Sequence, residues 1–309
     1  MLGLSKKGED YSSQLAAAIE FYWKGVDFSR GNGVPQDQAK ATEMWKEAIK
    51  LLEKPAKHGD VHAQCWLGDC YYNGYGVPNR NHYVKAVEWY LKATAQGHAG
   101  AQYMMGRCYY NGYGVTKNIS KAIDWLTKAT AQGHAGAEYM MGRCYYNGYG
   151  VKESSSKAVE LYIKAAVQGH AMSQFELGNC YFYERGTPRD IYKAKEWYTK
   201  AAENGIIDAQ FQLGFLYLTA DDSFDNPATG SDNPYGKEFQ NLIKSHKWYM
   251  KAAEGGHADA QFMIGSTYLK GSFDIPQDYS KAIWWLKKAA KGGCDAAKKE
   301  LSNRGESWQ

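Results

Sequence analysis

Four groups of residues in this chain have types and spacings that could do chemistry. Ser154-Ser155-Ser156-Lys157 sets a serine and a lysine at the S-x-x-K spacing of serine acyl-transfer enzymes, and Ser231-Asp232-Asn233 adds an S-D-N triplet. The chain has no K-T-G triplet, Ser231 lies far along the sequence in a separate insertion, and no base accompanies Ser154. Six cysteines, Cys65, Cys70, Cys108, Cys144, Cys180 and Cys294, include no C-x-x-C metal pair. His98, His134, His170 and His257 each follow a glycine and lie too far apart in sequence to converge on a metal, so a role in the local turn is expected, with no metal and no cofactor. Arg107 and Arg143 occupy equivalent places in two nearly identical segments and are flanked by tyrosines. A guanidinium between aromatic rings can stack on them and fork onto a carboxylate.

The repetition behind these groups fixes the elements that position them. Ala93–Val115 and Ala129–Val151 agree at every position but one, where Gln102 becomes Glu138. Gly68, Gly106, Gly142, Gly178 and Gly214 recur at 36 to 38 residues, and Gly265 follows after 51. Lys-Ala pairs at Lys85, Lys121, Lys157, Lys193 and Lys281 keep the same rhythm, with Lys244-Ser245 in the sixth place. The long step brackets one insertion, Asp221–Phe239, rich in Asp, Asn and Pro and lacking the order of a calcium loop, which reads as a mobile surface loop or, alternatively, as a lid or contact arm on one edge.

Each unit reads as two helices. In the third, apolar residues recur at three and four from Ala99 to Asn111, and an Asn-Gly-Tyr-Gly stop follows. Ser120 is the expected N-cap of a second helix running to about Gln132. Asn73, Asn111 and Asn147 precede the helix-stopping glycines and read as caps. Helix pairs restated at this period make an α-solenoid of about seven pairs, with residues 1–59 a degenerate first copy, 60–293 six regular copies and 294–309 a polar C-terminal cap, all one domain.

The pattern A-x-A-x-x-x-L-G-x-x-Y-x-x-G-x-G-V, then K-A-x-x-W-Y-x-K-A-A-x-x-G, resembles the Sel1-like repeat, a relative of the tetratricopeptide repeat. In the second copy it is carried by Ala63, Leu67, Gly68, Tyr71, Gly74, Gly76 and Val77, then Lys85, Ala86, Trp89, Tyr90, Lys92, Ala93 and Gly97. The fifth copy departs from it, with Arg185-Gly186-Thr187-Pro188 in place of the G-x-G turn. The resemblance implies an all-α, right-handed α/α superhelix with a concave groove, and a non-enzymatic scaffold or adaptor, often bacterial, that binds a peptide or helix of a partner protein.

Let the Leu or Met before each anchor glycine be slot 7 of the first helix. At 100° per residue, slots 3, 7 and 10 share one side and slots 5, 9 and 12 the opposite one. By analogy with tetratricopeptide stacks the latter line the groove. The candidate partner-binding residues are Tyr103, Arg107, Tyr110, Tyr139, Arg143, Tyr146, Phe175, Asn179 and Phe182. The aromatic slots serve equally well as packing against the next repeat. Cys70, Cys108, Cys144 and Cys180 fall in slot 10, on the packed side, about 10 Å apart between copies and beyond disulfide reach, which reads as buried thiols in a reducing compartment.

The remaining composition narrows the class. Lys plus Arg is 37 against 33 Asp plus Glu, a net charge of +4 without a basic cluster, so nucleic acid is not an expected partner. No apolar run is long enough to span a bilayer, and the first twenty residues lack a signal-peptide core, so a cytoplasmic location is expected, with export by a non-standard route left open. Two alternatives stand beside the scaffold: a cell-wall or β-lactam-directed hydrolase, and a self-associating spacer.

Overall fold

The computed structural model describes residues 11–77, 82–219, 234–272 and 275–308, the side chains of 234–239 excepted. The described residues are α-helical, with one isolated bridge, Ser272 to Ile275. They form two compact units that meet in sequence at Ser154 and Ser155. The first holds α1 (Ser12–Arg30), α2 (Gln38–Lys57), α3 (Val61–Asn73), α4 (His82–Ala95), α5 (Ala99–Asn111), α6 (Ile119–Ala131) and α7 (Ala135–Asn147). The second holds α8 (Ser155–Val167), α9 (Ala171–Phe182), α10 (Ile191–Glu203), α11 (Ile207–Thr219), α12 (Pro234–Glu254), α13 (Ala258–Lys270), α14 (Tyr279–Lys291) and α15 (Asp295–Asn303). Within each unit every helix packs on its neighbours in the chain, the solenoid arrangement of stacked helix pairs.

Local chemistry sets the helix ends. Gly74, Gly112 and Gly148 stop α3, α5 and α7 in the left-handed conformation, at φ of 69°, 81° and 68°. In the fifth copy Glu184 holds that place, at φ 57°, in the same turn without the residue best suited to it. Asn73, Asn111 and Asn147 each donate Nδ2 to the carbonyl four residues back, satisfying a terminal acceptor. The repeated histidines are N-caps: Nδ1 of His98, His134, His170 and His257 accepts the N–H three residues on.

Two expectations change. The N-cap of α6 is Asn118, whose Oδ1 accepts the Lys121 N–H at 3.0 Å; the amide-bearing Asn outcompetes Ser120, which lies inside the first turn. Pro234–Phe239, expected in the surface loop, form the first turns of α12, because proline is preorganised for the start of a helix. The rest of the insertion lies outside the described residues.

The packed side is the one the angles assign. Ala101, Met105 and Cys108 are fully buried, as are Ala63, Leu67 and Cys70 one copy earlier. The anchor glycines let the second helix of each pair approach: a Cβ at Gly68 would lie 2.5 Å from the Tyr90 ring, and one at Gly178 2.6 Å from Tyr198. All six cysteines are buried free thiols. Burial pushes the thiols of Cys108 and Cys144 up, to about 12 and about 11, so they stay protonated and unreactive.

Polar staples join successive pairs. Gln132 Nε2 donates to the Gly97 carbonyl at 2.9 Å and to Gln102 Oε1 at 2.8 Å, and Gln96 does the same to Gly59 and Gln64. The single difference between the two near-identical copies therefore falls in a buried polar position, where Glu138 replaces Gln102.

Candidate functional site

In the first unit, slots 5, 9 and 12 of α3, α5 and α7 form a continuous ladder of rings and charges. The Arg107 guanidinium lies over two rings, Tyr72 of α3 at 5.1 Å and Tyr103 of its own helix at 5.7 Å from the centroids. Arg143 repeats the arrangement on α7, 5.9 Å over Tyr139. Its charge also reaches Tyr110 of α5, whose hydroxyl is nonetheless raised by burial above the usual phenol range. Tyr103 stacks on its far side against His134, centroids 4.7 Å apart at 27°. Tyr110, Tyr139 and Tyr146 are half-buried and Arg143 is exposed. Neither arginine forms an ion pair among the described residues. Arg107 is held by two rings, and its Nη1 donates weakly to Met104 Sδ at 3.7 Å; Arg143 lies over one ring, and neither guanidinium carries a carboxylate partner among the described residues.

Asp69 occupies slot 9 of α3, one step before Arg107. Its Oδ1 accepts the Tyr90 hydroxyl at 2.6 Å. Burial pushes this carboxyl up to about 6, against the opposing pull of the Tyr90 hydrogen bond and the nearby Arg107 charge. The ladder thus runs from one weakly acidic group to two cations.

Phe175, Asn179 and Phe182 belong to α9 of the second unit, and there the structure places them differently. Asn179 Oδ1 accepts the Tyr198 hydroxyl at 2.8 Å and its Nδ2 donates to Glu176 at 3.2 Å, so its side chain is engaged internally. The Phe175 and Phe182 rings lie 5.9 and 6.4 Å from the Tyr198 ring and pack against the α10–α11 core. The arginine and tyrosine candidates come together in the first unit; the α9 candidates serve the packing of the second.

The sequence reading missed what the consensus lysines do. Lys85, Lys121, Lys193 and Lys281 lie 5.3 to 5.4 Å over Tyr71, Tyr109, Tyr181 and Tyr268. Lys92, Lys128 and Lys200 cap Trp89, Trp125 and Trp197 at 3.9 to 4.4 Å. Each exposed contact contributes about 0.5–1 kcal/mol. The signal was present in the fixed offset between each lysine and its ring. Of the serine–lysine motifs, Ser155 opens α8 beneath the Gly186 turn, and Ser231 lies outside the described residues.

The Sel1 repeat family model matches residues 12–54, 61–98, 99–134, 135–170, 171–206, 207–223, 234–257 and 258–294. The chain belongs to the Sel1 repeat family. Among solved structures, this Sel1 repeat protein is similar to a protective antigen present in uropathogenic Escherichia coli strains that displays an SLR fold. The two are 29% identical with a TM-score of 0.65, and the match covers 96% of this chain and 59% of that one. It is also similar to a Sel1 repeat protein from Oxalobacter formigenes, 28% identical with a TM-score of 0.63, covering 87% of this chain and 96% of that one. A comparison with curated proteins finds no match. Sel1 repeats generally mediate protein–protein interactions. No helix among the described residues is long and apolar enough to cross a membrane.

Proposed function

We propose that this Sel1 repeat protein is a non-catalytic scaffold that binds a segment of a partner protein along the α3–α5–α7 face. Arg107 and Arg143 receive an acidic or C-terminal carboxylate of that segment, with Tyr103, Tyr110, Tyr139 and Tyr146 flanking it. The observation that carries the reading is the repeated clasp: two guanidiniums one repeat apart, Arg107 laid on the Tyr72 and Tyr103 rings and Arg143 on the Tyr139 ring, neither paired with a carboxylate of its own among the described residues. A fork fixed by stacking loses little freedom on binding, which favours affinity through preorganisation. Tyr and Arg are also the residues that dominate binding hot spots.

The test is capture of a partner from the native host's lysate by wild type beside the double variant Arg107→Glu, Arg143→Glu, followed by calorimetry on the captured protein. Loss of a hydrogen-bonded charge pair costs about 2–5 kcal/mol, so the double variant should bind at least tenfold more weakly while its helicity is unchanged. Equal affinity in both would move the site off this face.

A further inference from the structure

At two consecutive junctions of the first unit, a cluster of tyrosine rings differs by one member. Between the second and third repeats, Tyr72, Tyr83 and Tyr113 form a three-ring cluster. Tyr83 stacks on Tyr113 with centroids 4.7 Å apart at 11°, and Tyr72 meets both edge-on at 5.5 and 5.9 Å. One repeat on, Tyr110 and Tyr149 occupy the places of Tyr72 and Tyr113, but Ile119 stands where Tyr83 would be, two residues before the consensus lysine. The turn glycine Gly150 settles onto that isoleucine: a Cβ there would lie 2.5 Å from Ile119 Cγ2. The missing ring is not replaced. A cleft of about 480 Å³ opens instead, lined by Tyr110, Lys117, Ile119, Gly148, Tyr149 and Gly150. Tyr72 is 7% exposed, whereas Tyr110 is only half-buried, and Tyr149 is 50% exposed against 37% for Tyr113. Among the described residues, neither Tyr110 nor Tyr149 stacks on another ring.

We infer that this cleft receives an aromatic side chain of the partner segment, which completes the three-ring cluster in the place that Tyr83 fills one repeat earlier. The chain itself shows which group fits, since its own tyrosine fills the equivalent site. Aromatic rings prefer the offset-stacked and edge-on contacts that Tyr149 and Tyr110 offer, and such a ring buries about 150–250 Å². Lys117 lines the cleft and Arg143 carries its charge beside Tyr110, so the residue next to the inserted ring is acidic. The segment so defined is an aromatic residue beside a carboxylate. The partner's being a protein segment rests on the groove reading; the cleft's preference for a ring does not.

The experiment uses the full chain with 13C-labelled isoleucine δ-methyls. Ile119 lines the cleft and Ile123 lies beneath Gly150, and both report on it. N-acetyltyrosine amide, a neutral ring probe, is expected to shift both methyls with a dissociation constant on the order of 1 mM, and N-acetylleucine amide to shift neither. Ile119→Tyr, which writes the second repeat's residue into the third, should abolish the response at Ile123. Tyr149→Ala, a change at an exposed residue, should weaken it several-fold and guards against misfolding of the first variant. Methyls unmoved at about 20 mM probe, an equal response to the leucine probe, or full binding by Ile119→Tyr would each overturn the inference. The two readings fail separately. A partner lost on Arg107→Glu, Arg143→Glu with no response to the ring probe keeps the groove and removes the cleft. A ring response with partner binding indifferent to the arginines keeps the cleft and removes the carboxylate clasp.

Discussion

The Arg107 guanidinium rests 5.1 Å over the Tyr72 ring from the preceding repeat, while the hydroxyl of that tyrosine is buried without a hydrogen-bond partner among the described residues. The ring and the hydroxyl therefore have opposite effects. The ring positions the arginine; the hydroxyl carries an uncompensated desolvation cost. Tyr72→Phe keeps the first and removes the second. It should leave partner binding unchanged and hold or raise stability by up to about 1 kcal/mol in urea denaturation. Tyr72→Ala should cost about 3–5 kcal/mol and weaken partner binding as well, since Arg107 loses its platform. A Phe variant that loses stability by more than 1 kcal/mol would show that the hydroxyl has a partner in solution.

Two sets of groups give the stability a pH dependence of opposite sign. Asp69 has a carboxyl raised to about 6 by burial, above the unfolded value of about 4. The folded state holds its proton longer, so this group's contribution is present below pH 4 and is lost as pH rises to about 6. Asp69→Asn should remove that loss and stabilise the protein at pH 7 by an amount on the order of 2 kcal/mol. The variant keeps the tyrosine hydrogen bond, as Asn179 does with Tyr198. The capping histidines run the other way. Burial lowers the His98 and His134 values, with the neighbouring His62 and His134 charges adding at His98. Their Nδ1 atoms must be unprotonated to accept the Ala101 and Ala137 N–H groups. Their contribution is complete above about pH 6.5 and falls as pH drops below it. His98→Asp should retain the cap, as Asp60 retains it on α3, and remove part of the acid loss in denaturation curves at pH 5 and 7. An unchanged pH profile in both variants would assign the slope to other groups.

Glu184 holds the left-handed turn that glycine holds after α3, α5 and α7. A side chain in that conformation costs about 1–2 kcal/mol, part of which glycine returns through the unfolded chain's freedom. Glu184→Gly should therefore stabilise by about 1 kcal/mol, a few degrees in Tm, and Gly112→Ala should destabilise by a similar amount. Destabilisation by Glu184→Gly would mean that the glutamate side chain contributes more than its backbone costs.

Much of this architecture is local and was legible without coordinates. The run Ala99–Asn111 is a helix to the residue, because its apolar period, its capping histidine and its terminal Asn-Gly act within a turn or two of one another. The angular sorting of slots likewise placed Ala101, Met105 and Cys108 on the buried side, since a helix fixes that relation whatever it packs against. The choice of Asn118 over Ser120 as N-cap was not legible: both side chains can cap, and where the loop enters the helix decides between them.

What a residue meets one repeat away was decided by the tertiary structure alone. Tyr72 and Arg107 touch only once α3 and α5 are packed together, and Tyr90 reaches Asp69 only because the side-chain-free surface of Gly68 lets α4 close on α3. Asn179 shares slot 9 with the arginines, yet in the folded unit it is engaged by Tyr198, a residue on a different helix. The exchange of Tyr83 for Ile119 reads in sequence as one apolar residue for another. Only the packing of three elements at one junction turns it into a filled cluster in one repeat and an open cleft in the next, because close-packed interiors cannot flow to fill the space a missing ring leaves.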